Sequence, residues 1–386
     1  MSPTRIQTTA VANFTCLGSA CPDTCCQGWG MQVSIETIEK LTRDAPELLG
    51  AITSGEAEFV MKRDPVTDQC VKLDNGWCSI HRDYGEAFLG EACRFFPRVT
   101  RALGDTLVTS STLACPETAR LMLYTPDGLA ATARSEVQVP YTLKNYLPAG
   151  LPVADALVIH QTFLDLAGEA TCTAEQNMMR LSATARALEM QPFPAWGEAL
   201  PFYLTMAAGR IPPAEMAAAD PFNLLHALRG LAMAGKAPRA RLLQVIDAMA
   251  QALGARFDPT TGAIALADDA ELRAVTLLHH MRLQAPVLAP VLRRYLQAQL
   301  SQMLFPFAGF GHGLSDRVTI LGVRLATVKL ALATLAVDPA PDEVIRVIQT
   351  LARFTDHLAD PALSMQIYHE TGWVREARLR GLLNDA

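Results

Sequence analysis

Four of the nine cysteines fall within the run CLGSACPDTCC, at Cys16, Cys21, Cys25 and Cys26. Four more follow at Cys70, Cys78, Cys93 and Cys115, and beyond Cys172 there is none. Gly18, Pro22, Gly28 and Gly30 punctuate the thiol-rich loop, so it has little structure of its own and needs a centre to fold around. The gradient predicts an N-terminal thiolate site on a larger body that does without cysteine.

How the thiols read depends on the compartment. The opening MSPTRIQTTAVANFTC lacks the apolar core of a signal peptide, and no uncharged apolar run reaches the roughly 18 residues that span a bilayer. A cytoplasmic protein is expected, without a membrane partner. In a reducing compartment clustered thiols bind metal or do redox chemistry more often than they form disulfides. Thiolates suit zinc, Cu(I) and iron–sulfur clusters. The pattern is C-x4-C-x3-C-C, then C-x7-C-x14-C-x21-C-P. Cys16, Cys21, Cys25, Cys26, Cys70, Cys78, Cys93 and Cys115 are therefore the candidate metal ligands. They suffice for two tetrathiolate sites, or for one site plus structural thiols. Neighbouring side chains diverge, so one of Cys25 and Cys26 should face a second centre or pack. A single centre would have to gather sulfurs such as Cys21, Cys25, Cys70 and Cys93. Disulfides, reduced core cysteines and a transient redox relay are the competing readings. Iron–sulfur is favoured over zinc, since His81 is the only histidine of this region and Cys115-Pro116 ends the series as in ferredoxin-type ligation.

With 386 residues, half of them apolar, the chain is expected to hold two domains: a cysteine-rich module over residues 1–126 and a helical domain over 127–386. A net charge of −6 and the lack of a basic stripe interleaved with aromatics argue against a nucleic-acid partner. Ser34 reads as an N-cap, and Ile35, Ile38, Leu41, Leu48, Leu49 and Ile52 recur at helical spacing, with Pro46 placed to split the helix. Asp74-Asn75-Gly76 predicts a hairpin. A three-residue loop there puts Cys70 and Cys78 on one face; a two-residue Asn75-Gly76 turn puts them on opposite faces. A short helix over 84–96, a second hairpin at Gly104-Asp105 and a helix opening at Pro116 and ending near Tyr124 follow. From about residue 150 the pattern is successive helices of roughly 12 to 20 residues, separated by Pro or Gly, Pro286 among them. The fold class is mainly α, with small β-hairpins in the N-terminal module and a multi-helix domain after it.

Arg94 and Arg98 flank Cys93 and, with Arg353, are the candidate cofactor-binding residues, placed to clamp a carboxylate; for Arg94 and Arg98 a solvent or structural ion pair is the competing reading. Arg353, Asp356 and His357 fall at i, i+3 and i+4, on one helical face, where Asp356 would orient His357 as a base. A helix-face salt bridge is the competing reading. Tyr146 and His312 are weaker candidates. No G-x-G-x-x-G follows a strand; Gly309, Gly311 and Gly313 come nearest, after an apolar helix. A radical-type C-x3-C-x2-C is absent.

CLGSACPDTCCQGW (16–29), CSIHRDYGEAFLGEACRFFPR (78–98) and LACPE (113–117) together resemble the flagellin lysine-N-methylase family. The cysteine part is also similar to zinc- or iron-chelating CxxCxxxxCC domains, in which a CR-x-FP segment follows, as Cys93 to Pro97 do here. The likeness continues in YLQAQLSQMLFPF (295–307) and in Arg353, Asp356 and His357, which resemble a late R-x-x-acid-His motif. The resemblance implies methyl transfer from S-adenosylmethionine to the ε-amine of surface lysines of flagellin. It implies a [4Fe-4S] cluster, with zinc as the alternative. A non-catalytic iron or zinc carrier, an assembly protein or an electron-transfer module are the rival functions. Methylation needs a neutral amine, hence a site that desolvates the ammonium or removes its proton, and an in-line array of nitrogen, methyl and sulfur.

Overall fold

The computed structural model describes residues 4–28, 30–55, 59–133, 143–208, 220–233, 240–258, 261–309, 313–356 and 361–373. Strand β1 (Thr4–Thr8) runs into the single turn α1 (Thr9–Ala12). After the cysteine loop come β2 (Gln32–Val33) and α2 (Ile35–Asp44), whose N-cap Ser34 accepts the Thr37 amide. Pro46 ends that helix and opens a 3-10 turn, Pro46–Ala51, as the sequence leads one to expect. Strands β3 (Ile52–Ser54) and β4 (Phe59–Met61), the hairpin β5 (Leu73–Asp74) and β6 (Trp77–Cys78), and the short helices α3 (Ser79–Tyr84) and α4 (Glu91–Phe95) complete a small unit. The single helix expected over 84–96 is broken. Gly85, at φ 86°, ends α3, and α4 starts only after Gly90.

A hairpin of β7 (Arg98–Leu103) and β8 (Thr106–Ser111) then turns at Gly104-Asp105, with Leu103 opposite Thr106. Gly104 sits at φ 65°, which its lack of a Cβ makes cheap. Helix α5 (Pro116–Tyr124) and strand β9 (Ala131–Ala133) follow. The sheet order is β7-β8-β1-β9, with β1 parallel to β8 and antiparallel to β9.

The rest is helical: α6 (Val153–Gly168), α7 (Ala174–Glu189), α8 (Trp196–Ala208), α9 (Asp220–Met233) and α10 (Ala240–Ala252). A small hairpin, β10 (Ala255–Phe257) and β11 (Ile264–Leu266), precedes α11 (Ala270–Met303), α12 (Leu314–Leu332), α13 (Pro341–Thr355) and α14 (Pro361–Glu370). The protein is mainly helical, as its composition indicates. One expectation fails: Pro286 does not separate two helices but lies inside the 34-residue α11, as does Pro290. Both prolines are exposed and one turn apart. The carbonyls they deprive of an N–H, on Arg282 and Pro286, belong to exposed residues, where water can satisfy them.

Two apolar cores form. The smaller gathers Met31, Val33, Leu41, Leu48, Met61, Ile80 and Leu89, and Cys25, Cys70, Cys78 and Cys93 pack against it. The larger takes Ala10, Leu103, Val108 and Leu113 together with the helices as far as Trp373. Helix α12 is buried along nearly its whole length and carries two buried cations. Lys329 pairs with Glu175 of α7, and Arg324 pairs with Asp356 at 3.3 Å. The start of α12 is capped by Glu189, whose carboxylate accepts the amides of Leu314 (2.7 Å) and Ser315 (3.1 Å). A Cβ at Gly313 would collide with that carboxylate.

No described helix is long and apolar enough to cross a membrane.

On α6, His160 is buried with its Nδ1 2.7 Å from the Phe305 carbonyl, so the neutral ring donates from Nδ1. Burial pushes its pKa below the ordinary histidine value, with the carbonyl opposing. The unfolded chain then binds a proton that the folded chain refuses, so this residue costs stability as pH falls below about 6.5. His160→Asn should flatten the acid limb of the stability–pH curve by up to about 1.4 kcal/mol per pH unit. Equal slopes for both proteins in urea titrations at pH 5 to 7 would refute this.

Candidate functional site at the cysteine loop

The loop from Cys16 to Gly28 is positioned almost entirely by other elements. Its first part is a 3-10 turn, Gly18–Ala20, lying under the hairpin tip. A Cβ at Gly18 would meet the Trp77 ring at 3.2 Å, so only glycine fits closely there. Its last part runs beside residues 67–70. The Cys70 amide donates to the Cys26 carbonyl (2.7 Å), Gly28 N donates to Asp68 O (3.4 Å), and Gln27 Nε2 donates to Thr67 O (3.0 Å).

The middle of the loop is held from the helical body. Arg353 of α13 donates from Nη1 to Asp23 Oδ2 (2.8 Å) and from Nη2 to the carbonyls of Thr24 (2.6 Å) and Gln27 (2.9 Å). Arg241 of α10 pairs with the other oxygen of Asp23. Asp23 and Arg353 are only 10 % and 13 % exposed, so this ion pair is largely desolvated. Burial lowers the pKa of both arginines, against which thiolate charge at Cys25, Cys21, Cys26 and Cys115 would act on Arg353. Arg353, singled out as a cofactor ligand, is thus the clasp of the cysteine loop.

The thiols fall into two neighbourhoods. In the first, Cys26 and Cys78 are hydrogen-bond neighbours, and Cys93 feels the charges of Cys26, Cys78 and Cys70. In the second, Cys21 neighbours Cys16, and Cys115 neighbours Cys21, with Arg353 beside Cys21. Cys25 bonds Cys26 and also faces Arg353. Cys25 thus stands between the two, since it also packs against the smaller core with Cys70, Cys78 and Cys93. The nine cysteines are free thiols.

The hairpin behaves differently from the choice the sequence posed. Leu73 pairs with Cys78 and Asp74 with Trp77 around a two-residue turn, Asn75 at φ 49° and Gly76 at φ 78°. That register would put Cys70 and Cys78 on opposite faces if the strand reached Cys70. It does not: a turn closed by Leu73 N on Cys70 O (2.9 Å) interrupts it, and Cys70 bridges to Arg63 instead. Cys70 thereby stays a neighbour of Cys78.

Buried, mutually close thiols resist ionisation. The bond to Cys25 first, and burial after it, hold the Cys26 thiol at about 12, and burial holds Cys115 at about 11. The bond to Cys26 raises Cys78, and burial raises Cys93. Such an all-sulfur donor set has the chemistry that a soft, thiophilic centre takes. As placed, however, no three His, Cys, Asp or Glu side chains among the described residues converge on one point as a metal ion requires.

The other candidate residues are placed as follows. Asp356 is the C-cap of α13 rather than a member of its face, because the helix ends at Thr355. Its fully buried carboxylate accepts from Thr112 Oγ1 (2.8 Å) and pairs with Arg324. His357 lies outside the described residues, as do Gly311 and His312. Tyr146 receives Arg101 Nη1 on its hydroxyl at 3.3 Å, and Arg101 and Lys144 both lie over its ring. Arg94 lies over the Phe95 ring and Arg98 over the Phe14 ring, each with the guanidinium carbon within 6 Å of the centroid.

A cleft of about 700 Å³ opens against the outer wall of the cysteine loop. Leu17, Ala20, Pro22 and Asp23 form that wall; α5, α10, α12 and α13 supply the others. Its size is that of a small-molecule site. Sequence reasoning missed it, since its charged residues Arg120, Arg241, Asp342 and Arg346 lie on three helices far apart in sequence, α5, α10 and α13. The one available signal was Asp23, an acid between the cysteines.

Fold and site define the class: a helical protein with eight N-terminal thiols, four of them on a loop docked beside a cleft. The chain is 26 % identical over 149 residues to the lysine-N-methylases of Salmonella choleraesuis and Salmonella typhimurium, covering 36 % of this chain and 37 % of theirs. It is 26 % identical over 146 residues to the flagellar biosynthetic protein FliU of Salmonella muenchen, covering 35 % of this chain and 86 % of FliU. The chain is thus similar to lysine-N-methylases, and it spans little more than a third of their length. No family model and no solved structure matches it.

Arg353→Met should cost about 2 to 3 kcal/mol, below the usual range for breaking a buried pair because Arg241 still serves Asp23. It should also speed maleimide labelling of Cys21 and Cys25; unchanged labelling rates would disprove the clasp. Asp356→Ala leaves Arg324 buried and uncompensated, and should cost about 3 to 5 kcal/mol in urea unfolding. A loss below 1 kcal/mol would show that the pair does not hold α13.

Proposed function

We propose that this protein is a protein-lysine N-methyltransferase, which uses S-adenosylmethionine to methylate surface lysines of flagellin in the cytoplasm. One observation carries the reading: the relation to two lysine-N-methylases, joined by that to a flagellar biosynthetic protein. The cleft beside the cysteine loop supports it, because methyl transfer needs a pocket that excludes water from amine and donor.

The cysteines are the proposed ligands of an iron–sulfur centre. Cys26, Cys70, Cys78 and Cys93 would hold one centre, and Cys16, Cys21, Cys25 and Cys115 are the second set. Bound there, such a centre would supply folding energy to a loop with little secondary structure of its own. The work of this chain's own residues is positional. Arg353 and Arg241 hold the loop against the helical body through Asp23, and so fix one wall of the cleft.

The deciding experiment is co-expression with flagellin followed by mass spectrometry of its lysines. Methylated surface lysines are expected, and none with the empty vector. Unmodified lysines would reject the reading. Protein purified without air should be brown with broad visible absorption, and Cys93→Ser should bleach it. Colourless protein carrying stoichiometric zinc would replace iron–sulfur by zinc.

A further inference from the structure

The cleft has two chemically distinct ends. Toward α10 and the loop it has an aliphatic strip of Leu17, Ala20, Val245 and Ala248, flanked by Gln244 and the Asp23–Arg241 pair. Toward α13 it meets Asp342, Ile345, Arg346 and Gln349, spaced i, i+3, i+4 and i+7, which is one face of that helix. Asp342 and Arg346 are exposed on this face, and neither makes a salt bridge with a described residue. The other charges of the cleft are committed. Glu117 holds Arg120 at 2.7 Å, and Asp23 holds Arg241 and Arg353.

An acid and a base one turn apart, both facing a cavity, match the two charges of an α-amino acid: the carboxylate for the ammonium, the guanidinium for the carboxylate. An aliphatic wall across the cavity suits a flat heterocycle. A ligand with both ends is an adenosyl amino acid. We propose that this cleft is the S-adenosylmethionine site, with Asp342 and Arg346 gripping the amino-acid end and the aliphatic wall taking the adenosine end. The proposal rests on the methyltransferase reading and adds to it a location and two specificity residues. It puts the cosubstrate against the outer side of the cysteine loop, where Asp23 lines the cleft.

The test is calorimetric titration of the full chain with S-adenosylhomocysteine and, separately, adenosine. Arg346→Glu should weaken S-adenosylhomocysteine on the order of tenfold or more and leave adenosine unchanged, since adenosine lacks the amino-acid end. Ala248→Trp, at an exposed position of α10, should weaken both. Val158→Trp, at the mouth of a separate cavity lined by His160, should weaken neither. Circular dichroism melts check that each variant folds, and Arg346 is exposed enough that its exchange tests the site even should Ala248→Trp misfold. If the wild type binds S-adenosylhomocysteine and both cleft variants bind it equally well, the location is wrong and the methyltransferase reading stands. If the wild type binds neither probe while flagellin is still methylated, the cleft assignment falls with the cosubstrate. If flagellin is also unmodified, the functional reading itself falls. A raised KM for flagellin in Arg346→Glu with unchanged S-adenosylhomocysteine binding gives the cleft to the protein substrate and overturns the proposal.

Discussion

Between two arginines, the carboxylate of Asp23 joins three pieces of chain that are distant in sequence: the cysteine loop, α10 and α13. Asp23 and Arg353 are largely removed from water, so each of these two charges needs the other, while the half-exposed Arg241 adds a second cation. The loop has only a 3-10 turn of regular structure, so its path follows from what grips it. Arg353 takes two loop carbonyls besides Asp23, and this fixes the backbone on both sides of Cys25 and Cys26. The division of thiols and the inner wall of the cleft both follow from that grip.

The grip is only as firm as α13, and α13 is anchored from the core. Helix α12 would be an ordinary buried helix except for Arg324 and Lys329. Each is neutralised by a carboxylate from a neighbouring element, Asp356 at the end of α13 and Glu175 on α7. Arg324 also donates to Gln299 Oε1 (2.7 Å), which draws in α11, while Asp356 accepts from Thr112, next to β8. Buried ion pairs add little net stability, but they penalise every packing that separates the partners. Here they set the register of α13 against three elements. That register decides whether Arg353 reaches the loop and whether Asp342 and Arg346 face the cleft.

Local chemistry was legible in the sequence wherever the deciding partner lay within a few residues. The Ser34 cap, the Pro46 break, the Gly104-Asp105 hairpin and the Pro116 start all hold. The mainly helical class holds for the same reason, because Ala- and Leu-rich segments carry their preference with them. What failed depended on distant partners. Spacing alone groups Arg353 with Asp356 on one helix face, yet burial gives each a stronger partner elsewhere, Asp23 for one and Arg324 for the other. Pro286 reads as a breaker, and only its exposure on a long helix makes it tolerable. Cys70 reads as a strand residue, but a turn takes it out of the ladder. The cleft has no local signature beyond Asp23, being assembled from five elements.

The two thiol neighbourhoods differ in one electrostatic respect. Arg353 lies beside the second, and its charge favours the thiolate of Cys21. Of the first, Cys26 also acts on Arg353, while Cys78 and Cys93 are raised chiefly by a neighbouring thiol and by burial. Ionising four sulfurs in the first set is opposed by burial and by their mutual repulsion, so a bound cation would favour it. Cys25 and Cys26, one peptide bond apart, both act on Arg353. A charge arriving among Cys26, Cys70, Cys78 and Cys93 would be felt across that bond by Cys25 and, through it, by Arg353. The same guanidinium clasps the loop, so the charge state of the thiols and the seating of the cleft wall are coupled through one side chain.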